Sequence, residues 1–508
     1  MLKFYRNNII SRSFWIFLLA LIAYCPIKAN YFYDYSPAAR QAYEQIIQLK
    51  FEEAKLSIAD LKREEPKNLV SHHLENYIDF FKVFIDENEN EFKLLEKRKQ
   101  SRLQELKKGP KDSPYHLFIQ AEIQLQWALA RLKFEEYLNA FTEVSKAYKQ
   151  LSENATIFPD FIGNKKSLGI IHALVGTIPE NYRWGVKLLG GMEGSIAGGK
   201  AELEQVLAYA QTNDFLFEQE TIFMYAFLML HLDNNQEEAW KIVNNEKLNT
   251  DESPLACFAK ANVAMRIGKS ELAIEILQNR PQGEGYHPFN YLDLLLGFAK
   301  LYRQDHDADL YIKKYVRAYR GKNYLKEAFQ KLAWHALLND REEDYQKYMI
   351  LCMDHGAAVI DADKSALKEA KSGEVPQVDL LKARLLFDGG YYERAHQHML
   401  HSKAKLHQFK HQLEYTYRLG RILHLLEHYD DALETYKETI AQGKTSSYFY
   451  ACNAALQCGL ILEQDQELEL ALVYYQKCLA MRPDNYKNSL HQKAEAGLER
   501  IRNKFNSN

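Results

Sequence analysis

The chain has 508 residues, 47% of them apolar and 26% charged, a balance that can bury a core and excludes an intrinsically disordered protein. Pro (12) and Gly (23) are too scarce for a chain of many short strands, and a net charge of −3 gives no global attraction to nucleic acid. The length fits several domains or one elongated repeat array.

In chain order, residues 1–29 read as a signal peptide. Lys3, Arg6 and Arg12 form its positive end, Phe14 to Tyr24 its apolar run, and Ala29 offers a small residue for cleavage. The uncharged stretch from Ser13 to Ile27 is short for a bilayer span. Cleavage after Ala29 takes the formal charge from −3 to −7 and predicts export to the periplasm or cell envelope. The alternative is a retained anchor, by this segment or by a lipid on Cys25, although Tyr24 stands where a small residue normally precedes a lipidated Cys. Membrane contact is expected only in that case, because no later segment is apolar enough to span. Five Cys follow (Cys257, Cys352, Cys452, Cys458, Cys478), too few for a disulfide scaffold and expected to be small buried side chains. Cys458 and Cys478 are predicted to face each other.

Residues 30–160 are predicted as helical hairpins, with Ala42, Phe51, Ala54 and Pro66 in a pattern that recurs near the C-terminus. A basic stretch from Lys93 to Lys111, broken by Glu91, Glu96 and Glu105, reads as a solvated helix face. Residues 161–212 form a Gly-rich helical segment: Gly163 to Gly199 holds nine of the 23 glycines. Close helix crossing explains them, since Gly lets backbones approach. Gly194 to Lys200 matches G-x-x-x-x-G-K, but Ala201 stands where a phosphate loop needs Ser or Thr for magnesium, and no strand precedes it.

Residues 213–350 carry weaker hairpin patterns, among them Phe227 with Ala239, Ala261 with Gly268 and Ala273, Gly297 with Ala308, and Ala333 with Tyr345. Asp305, Asp307 and Asp309 alternate like a calcium loop, but Leu310 occupies the position that needs Gly. Residues 351–376 read as a polar insertion. In 377–485 the pattern is sharpest. Gly420 is followed after twelve residues by Ala432 and then by Tyr436, and Gly459 after twelve by Ala471 and then by Tyr475. Seven of the 17 His lie between His396 and His428, and His424-Leu-Leu-Glu427-His428 matches an inverted zinc-protease signature. Here His428 falls in the turn after the helix, which breaks the ligand pair. Residues 486–508 make a basic capping helix and tail. No cofactor or metal set is expected.

These spacings resemble the tetratricopeptide repeat, a helix-turn-helix of about 34 residues with small residues at its eighth and twentieth positions. The two helices of a hairpin cross closely, only Gly or Ala fits there, and the aromatic fills the space to the next hairpin. The Gly-rich stretch resembles the corresponding segment of the eukaryotic tetratricopeptide family linked to inclusion-body clearance and the outer mitochondrial membrane. The resemblance implies an all-α solenoid, exported and of bacterial type given its leader, that binds a protein or peptide on its concave face and is not an enzyme. Membrane-anchored assembly and an enzyme of unnamed chemistry on a helical carrier are the alternatives. In such hairpins the second, fifth, ninth and twelfth positions of the first helix line the groove. From Gly420 these are Glu414, Tyr417, Arg421 and His424; from Ala383 they are Gln377, Leu380, Arg384 and Phe387; from Gly459 they are Asn453, Leu456, Leu460 and Glu463. Arg384, Phe387, Tyr417, Arg421 and His424 are thus the candidate partner-binding residues, since Arg and aromatic side chains give large area with directional hydrogen bonds. The opposing possibility is that the arginines pair with acids such as Glu414 and only solubilise the groove. The Lys and Asn pattern of the carboxylate clamp of chaperone-binding members is absent.

Overall fold

The computed structural model describes residues 30–177, 191–233 and 235–507. The segment read as a signal peptide and residues 178–190 of the Gly-rich stretch lie outside them. The described residues form 24 α-helices and no strand beyond one isolated bridge between Phe32 and Asn68. An N-terminal block holds α1 (Pro37–Ile47), α2 (Phe51–Glu64), α3 (Val70–Asp86), α4 (Glu89–Leu106), α5 (Tyr115–Lys133), α6 (Tyr137–Ile157), α7 (Gly163–Gly176) and α8 (Ile196–Ala210). The middle holds α9 (Glu218–His231), α10 (Gln236–Val243), α11 (Pro254–Arg266), α12 (Ser270–Gln278), α13 (Tyr291–Arg303), α14 (Ala308–Ala318), α15 (Leu325–Leu338) and α16 (Glu342–Asp354). A single helix, α17 (Asp361–Ser372), precedes three hairpins, α18 (Val378–Asp388) with α19 (Tyr392–Ser402), α20 (Phe409–Leu425) with α21 (Tyr429–Gly443), and α22 (Tyr450–Gln464) with α23 (Leu468–Ala480). The last helix, α24 (Lys487–Ser507), packs on α22 and α23.

One local rule builds eight hairpins. Leu49, Glu135, Gly268, Gln304, Asp340, Gly390, Glu427 and Gln466 turn the chain in the left-handed region. Each follows by seven residues a small residue of the first helix: Ala42, Ala128, Ala261, Gly297, Ala333, Ala383, Gly420 and Gly459. Five residues past the turn the second helix supplies Ala54, Ala140, Ala273, Ala395, Ala432 or Ala471, all buried. The two departures are the ones the sequence flagged. Ala308 comes one residue early, and Tyr345 stands where the others have Ala. The crossings are tight: a Cβ on Gly420 would lie 2.7 Å from the Tyr436 ring, and one on Gly459 2.5 Å from that of Tyr475.

The Gly-rich stretch crosses closely in the same way. A Cβ on Gly199 at the start of α8 would lie 2.2 Å from the Gly169 carbonyl in α7. The stretch expected as a polar insertion contains α17, whose Asp363 carboxylate accepts from the backbone N–H groups of Tyr324 (2.6 Å) and Glu327 (2.9 Å), capping α15. Burial pushes this carboxyl up to about 6. Helix α18 packs on both α13 and α15, and at the turn of its hairpin the Ser270 N–H reaches the Gly389 carbonyl.

The N-terminal block is held against α9 and the connections between the middle hairpins. The Tyr43 and Tyr77 hydroxyls donate to Glu220 (2.5 and 2.7 Å), and Ser253 Oγ donates to the Ile47 carbonyl (3.1 Å). The His287 N–H donates to the Leu49 carbonyl (2.8 Å), and its ring stacks on Phe51. Asn323 donates to Glu87 (2.6 Å), and Lys322 pairs with Glu89 (2.7 Å). At the centre of the block, fully buried Lys166 pairs with Glu122 (2.5 Å) and Glu220 (3.0 Å). The basic stretch is only partly the solvated face expected: Lys99 is buried against Glu143 and Arg102 against Asp79 (2.7 Å), because α4 packs inward along that side.

All five described Cys are buried. Cys478 does not face Cys458, as the spacing suggested. It faces Cys452, with the sulfurs 3.6 Å apart, because Cys452 lies two turns earlier on α22, level with the C-terminal end of antiparallel α23.

Three outcomes follow from this packing. Ala432→Leu should cost roughly 1–3 kcal/mol by overpacking, while Leu56→Ala on an exposed face should stay within about 0.5 kcal/mol, both read by urea titration. Lys166→Met should cost about 3–5 kcal/mol at neutral pH by leaving buried carboxylates uncompensated. Burial already raises the Glu122 carboxyl above its ordinary 4.5, and loss of the opposing ammonium raises it further. The native variant then binds more protons than its unfolded chain, so its stability falls as pH rises through that window and recovers on acidification; a penalty independent of pH would refute the account. Mild oxidation should join Cys452 to Cys478 and leave Cys458 reactive on denaturation, as peptide mass mapping reads directly.

Candidate binding groove

Helices α15, α18, α20 and α22 are the first helices of the last four hairpins, and side chains from them form a ladder. The Arg384 guanidinium lies over the Trp334 ring at 4.8 Å from α15, with Lys331 on the same ring at 3.9 Å. The Arg421 guanidinium lies over the Phe387 ring at 5.1 Å. Arg421 Nη1 donates to the Tyr417 hydroxyl (3.3 Å), which also accepts from Asn453 Nδ2 (2.7 Å), and Gln457 donates to Asn453 (3.1 Å). Spacings of three and four residues put Arg384 with Phe387 and Asp388, and Tyr417 with Arg421 and His424, on one face of their helices.

Exposure divides the five sequence candidates. The Arg384 side chain is 41% exposed, whereas Phe387, Arg421 and His424 are half-buried. Tyr417 is buried, like Leu380 and Leu456 at the same repeat position, so that position packs between hairpins and orients its neighbours. Trp334 follows Ala333 by one residue, as Arg384 follows Ala383 and Arg421 follows Gly420. The same register on the degenerate hairpin would have found it.

The acids of the groove are unequally used. Glu414 is taken by Arg418, whose Nε donates at 2.7 Å, and not by Arg384 or Arg421. Arg384 Nε stands 3.6 Å from Asp388, and Lys331 stands 3.6 Å from Glu327. Among the described residues, no carboxylate forms an ion pair with Arg421. Arg421 Nε, His424 Nδ1 and the Tyr436 hydroxyl are buried without hydrogen-bond partners. Burial, with Arg421 beside it, pushes His424 down to about 4, so it is neutral at pH 7.

The other sequence motifs are spent on structure. Helix α20 ends at Leu425 and Glu427 turns left-handed, so His424 and His428 do not share a helix face. Ser195 Oγ accepts from the Gly198 N–H to cap α8, and Lys200 lies 3.9 Å from Glu204. Lys300 pairs with Asp305 (3.3 Å) and Asp307 (2.9 Å), and Lys313 with Asp309 (2.6 Å). Among the described residues, no three His, Cys, Asp or Glu side chains converge as a metal set would, and no helix is long and apolar enough to cross a membrane. A cavity of about 120 Å³ lies where the N-terminal block meets the middle hairpins, lined by Glu89, Lys93, Lys133 and Asn323 among others. Its lysines are already paired, Lys93 with Glu89 and Lys133 with Glu87.

No protein-family model matches the chain, and no curated protein matches its sequence. Among solved structures it is similar to a human IFIT1 dimer with m7Gppp-AAAA, at 15% identity over 91% of this chain and 92% of that one, with a TM-score of 0.29. It is similar to yeast Tom70 at 12% identity over 92% and 97% of the two chains, with a TM-score of 0.23. A third likeness is to the APC/C hetero-tetramer Cut9-Hcn1, at 12% identity over 89% and 95%, with a TM-score of 0.24. The chain is an all-α solenoid of tetratricopeptide-like hairpins, and that assignment rests on its own eight turns and their crossings.

Proposed function

We propose that this chain is a protein-binding scaffold of the cell envelope, exported by its N-terminal segment and cleaved after Ala29, that holds a protein partner along the groove of its C-terminal hairpins. The observation that carries the reading is the pair of first-helix arginines, Arg384 stacked on buried Trp334 and Arg421 stacked on Phe387. It sets two cationic side chains at the same repeat position of neighbouring hairpins, with 41% of the Arg384 side chain exposed and Arg421 over a half-buried Phe387. Arg is among the side chains that dominate binding energy at protein interfaces. Binding, not catalysis, is the activity this arrangement favours. Nothing near the ladder pairs a nucleophile with a base, and neutral His424 has no carboxylate to orient it.

The test is affinity capture of the mature chain from its own envelope fraction. The double variant Arg384→Ala with Arg421→Ala should keep the far-ultraviolet circular dichroism of the parent and lose its captured partners. Unchanged partners, in identity and amount, would move the binding site elsewhere. Sequencing of the purified envelope form should begin at Asn30.

A further inference from the structure

We infer that Cys452 and Cys478 form a redox lock on the end of the solenoid: reduced, the pair lets α23 separate from α22, and as a disulfide it holds the two helices together. The sulfurs stand 3.6 Å apart across the hairpin and 26 residues apart in sequence. Both side chains are buried, and α24 covers them. Cys478 Sγ lies 3.9 Å from the Leu490 carbonyl, and Leu490, Ala494, Leu498 and Ile501 of α24 complete the same apolar cluster. Among the described residues no other two Cys sulfurs come within contact. Cys458, on the same helix, is buried without a sulfur beside it, and burial pushes its thiol up to about 12.

The oxidant is a small disulfide such as oxidised glutathione. With both thiols covered, it reaches them when α24 frays from its seat, the motion an array's last element makes most easily. The Cys478 thiol donates toward Cys452 and draws it below its ordinary 9.0, against the opposing effect of burial, and Arg482 adds to the lowering. Cys452 is therefore the attacking sulfur. Its thiolate bonds to one sulfur of the small disulfide and expels the other half as a thiolate. Cys478 then gives up its proton, attacks the Cys452 sulfur and expels the second half. Two electrons leave the cysteine pair, and two small thiols carry them off with the two cysteine protons. The new bond closes a loop that contains the whole α22–α23 turn. It restricts the opened hairpin far more than the packed one, so separation of α23 from α22 becomes rarer. Asn453, next to Cys452, donates to the Tyr417 hydroxyl of α20 (2.7 Å), so the locked helix also carries a contact to the hairpin before it. Fraying admits the oxidant, and the bond it makes then shuts the hairpin.

The test is hydrogen exchange, read by mass spectrometry, on the full mature chain treated with oxidised glutathione and on the same sample returned to the reduced state with dithiothreitol. Peptides from α23 should exchange about tenfold more slowly, or slower still, in the oxidised sample and recover their faster exchange on reduction. Peptides from α13 should not respond. Cys478→Ser should abolish the difference, and Cys458→Ser should keep it. The main comparison is made within one sample of the parent chain, so a misfolded variant cannot imitate the lock. A glutathione adduct on Cys452 that never resolves to the Cys452–Cys478 bond, equal α23 exchange in the two states, or a difference that survives Cys478→Ser would overturn the inference.

Discussion

Two helices can lie against each other as closely as α20 and α21 do only where one of them has almost no side chain. At Gly420 the Tyr436 ring occupies the space a methyl group would need, and at Gly459 the Tyr475 ring does the same. Everything else in the array hangs on that approach. It brings the second helix back antiparallel and buries Ala432 and Ala471. It also fixes which residues of the first helix turn toward the neighbouring hairpin and which toward the groove. Packing at crystal-like density leaves no slack for a bulkier residue at the crossing, which is why small residues recur there while almost every other position drifts.

That constraint is what made the fold legible. A Gly or Ala at fixed spacing from another Ala and an aromatic is visible in a bare sequence, and the two clearest copies fixed the register of the rest. The turns were less visible. Six of the eight left-handed turn residues are Leu, Glu, Gln or Asp, and a side chain there gives no Gly signal to read. The tight hydrogen-bonded turn holds those residues against their own preference, a case of tertiary context overriding local propensity. The groove was legible by position but not by partnership. The register placed Arg384 and Arg421 together, yet the allocation of Glu414 to Arg418, the burial of Tyr417 and the meeting of Cys452 with Cys478 depend on side-chain directions that spacing does not carry.

Charge is handled differently at the two ends. In the N-terminal block, buried cations are matched within the chain: Lys166 by Glu122 and Glu220, Lys99 by Glu143, and Arg102 by Asp79. Such pairs add little net stability over apolar packing, but each is intolerant of losing one member. In the C-terminal hairpins the matching is incomplete at Arg421, which has the Phe387 ring and the Tyr417 hydroxyl beside it but no carboxylate partner among the described residues. The contrast gives a physical reason to seek the interaction chemistry in the C-terminal groove and not in the more heavily charged block.

The docking of the block onto successive hairpin connections has a consequence for how the molecule comes apart. The bond from Asn323 to Glu87 joins residues 236 positions apart, and that from Ser253 to Ile47 joins residues 206 apart. Hairpins tied this way cannot loosen one at a time without first shedding the block, so the middle and the block should melt together. The last two hairpins, α20 with α21 and α22 with α23, touch mainly their sequence neighbours and α24, and there stability adds up hairpin by hairpin, as in a one-dimensional array. The chain thus couples a cooperative, slowly assembled body, whose contacts must wait for distant segments to meet, to an arm that can zip up locally as soon as it is made. Fraying that starts at the far end of the arm therefore leaves intact the long-range contacts that hold the body.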